Sequence, residues 1–130
     1  MNLSEIRLLL TQEGLLKTDG LRGVDFAPSA IGCNSKAVLP GMLFFCKGVR
    51  FKAEYLADAA RSGAGAYISE QGYDVDLPHL LVTDVRRAMP LIAREFYGHP
   101  DDQYPLVGIT GTKGKTSCAY QLGAIFDEAY

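Results

Sequence analysis

The sequence predicts an α/β fold, with a first domain over residues 1–104 and the opening of a second over 105–130. Three observations carry that reading. Strand-like and helix-like stretches alternate through most of the chain, the pattern of layered α/β architecture. Near the end, the apolar run Pro105-Leu-Val-Gly-Ile109 leads into a glycine-rich loop and then a helical stretch, the order found in phosphate-binding loops. Between the two parts lies His99-Pro-Asp-Asp-Gln-Tyr-Pro105, which is polar and rich in turn formers, as a domain boundary should be.

In chain order, Leu3 to Glu13 is expected to be an amphipathic helix: Ser4 is a candidate N-cap, Ile6, Leu9 and Leu10 share a face, and Gly14 ends it. Signals from Leu15 to Ala30 are mixed, with Val24-Asp-Phe26 as a candidate short strand. Ile31 to Lys36 reads as a strand end passing into a turn. Pro40-Gly41 is a second turn, and Met42-Leu-Phe-Phe-Cys46 is a continuous apolar run with the length of a buried strand. Ala53 to Ser62 is a helix with Tyr55, Leu56, Ala59 and Ala60 inward and Gly63 at its C-terminal end. A strand over 64–69, a polar loop over 71–78 and a strand over 80–83 follow. Asp84 is placed to cap a helix from Val85 to about Tyr97, and Pro90 inside it removes one hydrogen bond.

The loop itself is Thr110-Gly-Thr-Lys-Gly-Lys-Thr116, followed by Ser117 and a helix over 118–126. Glycines let the backbone turn tightly and bring its N–H groups against phosphate oxygens, and the helix start adds a positive dipole end. Lys115 is placed to reach the β- and γ-phosphates of a nucleotide, and the Thr116 hydroxyl to sit on Mg²⁺. The general G-x-x-x-x-G-K-[ST] pattern asks for glycine at 109, where Ile109 stands. The nucleotide-binding candidates are Gly111, Thr112, Lys113, Gly114, Lys115, Thr116 and Ser117, with ATP and Mg²⁺ as the expected ligands.

Composition narrows the function classes. Thirteen Lys and Arg against fifteen Asp and Glu leave a formal net charge of −2, and no basic stripe points to nucleic acid. The three cysteines are far apart and form no C-x-x-C pair, which favours neither a zinc site nor a disulfide framework and fits a reducing cytoplasm. No signal-peptide pattern stands at the start, and no apolar run approaches a membrane span. His79 and His99 lack a second ligand at useful spacing and are expected at the surface. Arg86, Arg87, Arg94 and Glu95 are expected to form a solvated helix face, and Phe44 and Phe45 to be core.

The T-G-T-x-G-K-T loop resembles that of the Mur ligase superfamily, and the likeness extends over essentially the whole chain. Asn34-Ser-Lys36, Pro40-Gly-Met-Leu-Phe-Phe-Cys-Lys-Gly48, Phe51-Lys-Ala-Glu-Tyr-Leu56 and the stretch from Asp84-Val-Arg-Arg-Ala-Met89 to Glu95-Phe-Tyr-Gly-His-Pro100 resemble the first domain of the branch that adds the third peptide residue to the peptidoglycan precursor. The F-x-x-K-G-x-x-F-K-x-E-Y-L form is similar to the L-lysine-adding branch. The resemblance implies a three-layer N-terminal domain with a mixed sheet, followed by the first strand, P-loop and helix of an ATP-binding domain. It implies a ligase that uses ATP and Mg²⁺ to convert a carboxylate of UDP-N-acetylmuramoyl-L-alanyl-D-glutamate to an acyl phosphate, which the amine of L-lysine or diaminopimelate then attacks. Nucleic acid and membrane are not among its implied partners.

Within that family the serine of an Asp-Ser-Arg pattern is expected to hold the UDP end of the substrate. Ser35 matches it, whereas Asn34 and Lys36 depart from it, and lysine lacks the planar fork of arginine. Read from the residues alone, 34–36 is better explained as an ordinary polar turn, and the resemblance favours a ligand role for Ser35 only. Arg50 and Lys52 follow the apolar strand, at the sheet end where ligands gather, and are secondary candidates for the UDP diphosphate; solvated loop cations are the other reading. No catalytic residue is expected within this stretch, and the 130 residues alone are expected to be inactive. Another ATP-using ligase of the superfamily, similar to folylpolyglutamate synthetase, and a UDP-sugar-binding module without activity are the alternatives.

Overall fold

The computed structural model describes residues 1–129 of the chain. They fall into two compact units, Met1–His99 and a second that begins at Pro100.

The first unit is built on a five-stranded sheet. Its strands are β1 (Leu16–Gly20), β2 (Ile31–Gly32), β3 (Leu43–Phe45), β4 (Ala66–Ser69) and β5 (His79–Val82), in the order β1-β5-β4-β3-β2. The strands β2 to β5 run parallel, and β1 pairs antiparallel with β5 along one edge. Three helices cover it: α1 (Leu3–Gln12), α2 (Ala53–Arg61) and α3 (Val85–Phe96).

Alternation along the strands divides the core in two. Leu43 and Phe45 face one way, with Ile68, Leu80 and Val82, and pack against Leu3, Ile6 and Leu10 of α1 and Val85, Ala88 and Ile92 of α3. Phe44 and Cys46 face the other way, with Tyr67, and pack against Leu56 and Ala59 of α2. The result is three layers around a mixed sheet, as the family resemblance implied. Burial on both faces is why the parallel strand β3 has no polar alternation in its sequence.

Several local readings change. The N-cap of α1 is Asn2, not Ser4: its Oδ1 accepts the Glu5 amide at 2.8 Å, and Glu5 Oε2 accepts the Asn2 amide at 2.6 Å, a closed capping box. The Ser4 amide instead donates to Asp25 Oδ1 at 3.0 Å. Val24 to Phe26 is no strand; the Val24 amide closes a turn onto the Leu21 carbonyl at 2.9 Å. The strand in this region is β1, whose Leu-Lys-Thr-Asp-Gly sequence carries little apolar signal because it is an edge strand with three exposed residues at its centre. Arg7 Nη1 donates to Asp19 Oδ2 at 2.9 Å and ties that edge to α1. On α2, Tyr55 is exposed and Ala60 half-buried; only Leu56 and Ala59 are fully inward. Pro90 lies on the exposed side of α3, and the residue one turn before it, Arg86, whose carbonyl loses the hydrogen bond, is exposed too.

The second unit contains α4 (Pro100–Gln103) and α5 (Lys115–Ala129). The short α4 falls in the segment predicted to be turns. No strand forms over 105–109, and Leu106 and Val107 are exposed. A strand needs a hydrogen-bonding neighbour, and among the described residues this unit has no other strand to supply one. The helix predicted over 118–126 is present as part of the longer α5, and Tyr130 lies outside the described residues. No helix among the described residues is long and apolar enough to cross a membrane.

Candidate functional site

The carboxyl ends of the parallel strands bring together the loops after β2, β3 and β4 and the start of α3. Such sheet ends are where ligands gather in α/β folds. A cleft of about 520 Å³ opens there, lined by the residues that leave β3 and β4 and by the first turn of α3.

One wall is the segment after β3. The Cys46 amide bonds to the Ile68 carbonyl at 2.9 Å, the last rung of the ladder between β3 and β4, and Lys47 is the next residue out. Phe51 closes this wall and meets Tyr73 edge to face, with ring centroids 5.7 Å apart. The opposite wall is the segment after β4, held by local bonds. Ser69 Oγ donates to the Gln71 carbonyl, the Tyr73 amide donates to the Tyr67 hydroxyl at 3.3 Å, and Gln71 Nε2 donates to the Tyr73 hydroxyl at 3.1 Å. Glu70 accepts the Val85 amide at 3.0 Å and so fixes the start of α3, whose second residue, Arg86, completes the lining.

Cys46 also lines the cleft. Burial pushes its thiol up to about 12, so it stays protonated and is a poor nucleophile. Burial likewise raises the Tyr67 phenol.

The residues singled out from sequence are placed as follows. Asn34 folds its own turn: its side-chain oxygen accepts the Lys36 amide at 3.0 Å and its carbonyl accepts the Ala37 amide at 3.1 Å. Ser35 is half-buried in that turn at the end of β2, and Lys36 is exposed; none of the three lines the cleft. Arg50 and Lys52 are exposed beyond Val49 and Phe51 and also stand outside it. The cations that do line it are Lys47 and Arg86. Lys47 directly follows a buried strand at a ligand-gathering sheet end, a signal present in the sequence; Arg86 is placed by the tertiary structure alone. Of the two histidines, His79 is half-buried rather than at the surface. It stacks on Tyr67 with centroids 5.0 Å apart, while His99 pairs with Glu95 at 2.8 Å.

In the second unit the glycine-rich loop has the backbone its sequence demands. Gly111 and Gly114 both have positive φ, 150° and 78°. That region disfavours side chains. The Lys115 ammonium donates to the Gly111 carbonyl and lies across the loop. Lys115 opens α5, and the Cys118 amide bonds to the Gly114 carbonyl at 3.0 Å. Thr112, Lys113, Thr116 and Ser117 are exposed around it. This donor set fits a nucleotide phosphate. A magnesium ion there would have the Thr116 hydroxyl as one oxygen ligand and would take others from phosphate and water. No group of three or more His, Cys, Asp or Glu among the described residues is arranged to hold a metal by itself.

No family model matches the chain. Over 91 residues it is 48% identical to the UDP-N-acetylmuramoyl-L-alanyl-D-glutamate--L-lysine ligase of Streptococcus suis (strain 05ZYH33), a match covering 70% of this chain and 19% of the relative. Over 105 residues it is 44% identical to the ligase of the same name from Streptococcus pyogenes serotype M1, covering 81% and 22%. The chain belongs to the Mur ligase family. This Mur ligase chain spans about a fifth of the length of those curated relatives. Among solved structures it resembles a UDP-N-acetylmuramoylalanyl-D-glutamyl-2,6-diaminopimelate--D-alanyl-D-alanyl ligase from Acinetobacter baumannii, with TM-score 0.65 and 22% identity over 95% of this chain and 28% of that one. A structure of MurF from the same organism gives 0.67 and 24%, covering 95% and 27%. At that identity these two speak to the fold, and they place the Mur ligase chain in the architecture of that family.

Proposed function

We propose that this chain supplies the substrate-anchoring domain and the ATP loop of a cytoplasmic ligase that joins L-lysine to UDP-N-acetylmuramoyl-L-alanyl-D-glutamate. The observation that carries the reading is the 44–48% identity to relatives named for that reaction. The T-G-T-x-G-K-T loop, with both its glycines at positive φ, supports the ATP part. In this reading residues 1–104 anchor the nucleotide-sugar end through Ser35, with Asn34, Arg50 and Lys52 as weaker candidates, and residues 105–130 begin the ATP-binding domain.

The roles follow from elementary chemistry. Phosphoryl transfer asks a protein mainly for positioning and charge neutralisation. The amides from Gly111 to Ser117 would cradle the phosphates, the Lys115 ammonium would offset their charge, and Thr116 would hold Mg²⁺. Magnesium, when bound, screens the triphosphate and aligns it for transfer. The amino acid joined to the dipeptide is assigned from the relatives' names.

Titration calorimetry with UDP-N-acetylmuramoyl-L-alanyl-D-glutamate and with Mg-ATP tests this. The muramoyl dipeptide is expected to bind, and Ser35→Ala to weaken it by about five-fold, the worth of one hydrogen bond. Mg-ATP is expected to bind weakly and to lose binding in Lys115→Ala. Absence of any muramoyl-dipeptide binding would overturn the anchoring role.

A further inference from the structure

We propose that Phe51 and Tyr73 are a pair of positioning residues, whose ring contact sets how far apart the two walls of the cleft stand and so how well a UDP-linked substrate is held. The inference rests on the reading of the first unit as a UDP-substrate anchor. It adds no contact to the ligand and concerns only what holds the walls.

The wall after β3 is an arch with two footings. At one end the Cys46 amide bonds to the Ile68 carbonyl at 2.9 Å. At the other the Phe51 ring packs among Phe44, Tyr55 and Tyr73, with centroids 6.3, 5.9 and 5.7 Å away. The stretch between, Lys47 to Arg50, is exposed throughout, and Val49 is 96% exposed. Its backbone bond is the Phe51 amide to the Gly48 carbonyl at 3.1 Å, a turn within the arch itself. Among the described residues no side-chain hydrogen bond or ion pair ties Lys47 or Arg50 to another element. The far end of the arch is therefore located by the Phe51 ring.

Of the three ring contacts, only the one with Tyr73 crosses to the other wall. Phe44 belongs to β3 and Tyr55 to α2, so both hold Phe51 to its own side. Tyr73 is itself fixed. Its amide donates to the hydroxyl of the fully buried Tyr67 at 3.3 Å, its ring meets Tyr67 edge to face at 6.3 Å, and its hydroxyl accepts Gln71 Nε2 at 3.1 Å. Tyr67 in turn stacks on His79 of β5. The line of rings from Phe51 through Tyr73 and Tyr67 to His79 thus carries the position of the exposed arch onto the sheet. An edge-to-face pair favours a particular distance and tilt, so it sets a spacing where an aliphatic contact would only fill space. Walls already at the right spacing lose less freedom when a ligand enters. Breaking the pair lowers the fraction of molecules so arranged, and the apparent dissociation constant rises by that factor.

The test is titration calorimetry of this chain with UDP and with UDP-N-acetylmuramoyl-L-alanyl-D-glutamate, with each variant's urea midpoint measured alongside. Phe51→Leu and Tyr73→Leu are each expected to weaken both ligands about five-fold, the strength of one ring pair. The double variant is expected to bind no more weakly than either single, because both break the same contact. Tyr73→Phe keeps the ring and loses only the Gln71 bond, so it should weaken binding less than Tyr73→Leu. Tyr55→Leu removes a ring from Phe51's own side, outside the cleft, and should bind as the parent does. Trypsin gives a readout without ligand. Cleavage after Lys47, Arg50 and Lys52 should quicken in Phe51→Leu and Tyr73→Leu beyond what their urea midpoints account for, and not in Tyr55→Leu. Both residues are half-buried in loops, and should either Leu variant not fold, the affinity and trypsin arms of the other carry the test. Additive losses in the double variant would mean that each ring meets the ligand separately. Parental affinity in both Leu variants would mean that the contact positions nothing. Either result overturns the proposal and leaves the anchoring role standing. If the unaltered chain binds neither UDP compound, both fall.

Discussion

Glu70 Oε1 accepts the Val85 amide at 3.0 Å, and through that bond the end of β4 holds the start of α3. The same residue's carbonyl accepts Lys17 Nζ at 2.9 Å, so β1 is tied to the same point. A helix start needs its first amides satisfied, and here two residues share the task, Glu70 for Val85 and Asp84 for Arg87. Glu70→Ala is therefore expected to lower stability by about 1 kcal/mol in urea unfolding. Glu70→Gln keeps an acceptor oxygen and should cost less. An unchanged midpoint in Glu70→Ala would mean that Asp84 caps α3 alone.

Gly20 faces His79 across the β1–β5 pair. A Cβ at Gly20 would lie 2.3 Å from His79 Nε2, and the imidazole cannot move freely because it stacks on Tyr67 and bonds through Nδ1 to the Leu77 carbonyl at 3.2 Å. Gly20→Ala is expected to cost about 1–3 kcal/mol, as overpacking does. In a His79→Ala background the same change should cost much less, and a double-mutant cycle reads the difference. Equal costs in both backgrounds would show that the ring is not what excludes the methyl group.

Cys46 is buried whereas Cys33 and Cys118 are exposed, and its thiol is pushed up to about 12 from an ordinary 9.0. In native protein at pH 8, a maleimide should label Cys33 and Cys118 and spare Cys46, with mass spectrometry of the digest as the readout. The sign of the pH effect follows from linkage. Above pH 9.0 the unfolded chain releases this proton while the folded chain keeps it up to about 12, so Cys46 makes stability fall as pH rises through that window. Cys46→Ala should show a shallower fall there than the parent. Prompt labelling of Cys46 in the folded chain would contradict its burial.

Much of this was legible from residues. The helices α1, α2 and α3 follow from apolar positions at helical spacing and from Asp84 before Val85. The apolar run at 42–46 contains β3, and its lack of alternation is explained by cores on both faces. Glycine at 111 and 114 meets two positive φ values in the loop. What escaped was non-local. The strand β1 was hidden because an edge strand is defined by its partner β5 and not by its own apolar content. Tyr73, Val75 and Leu77 sit in a loop that reads as polar, yet they pack against the second core.

The sequence by itself determined α1, α2, α3 and α5, the buried strand β3 and the phosphate-loop pattern, because each depends on neighbours within a few residues. Only the tertiary structure decided which strands pair, that 105–109 stands without a strand partner, and that Lys47 and Arg86, thirty-nine positions apart, line one cleft. The reason is that a side chain's address on a helix or strand is local, whereas the company it keeps is set by how the layers pack.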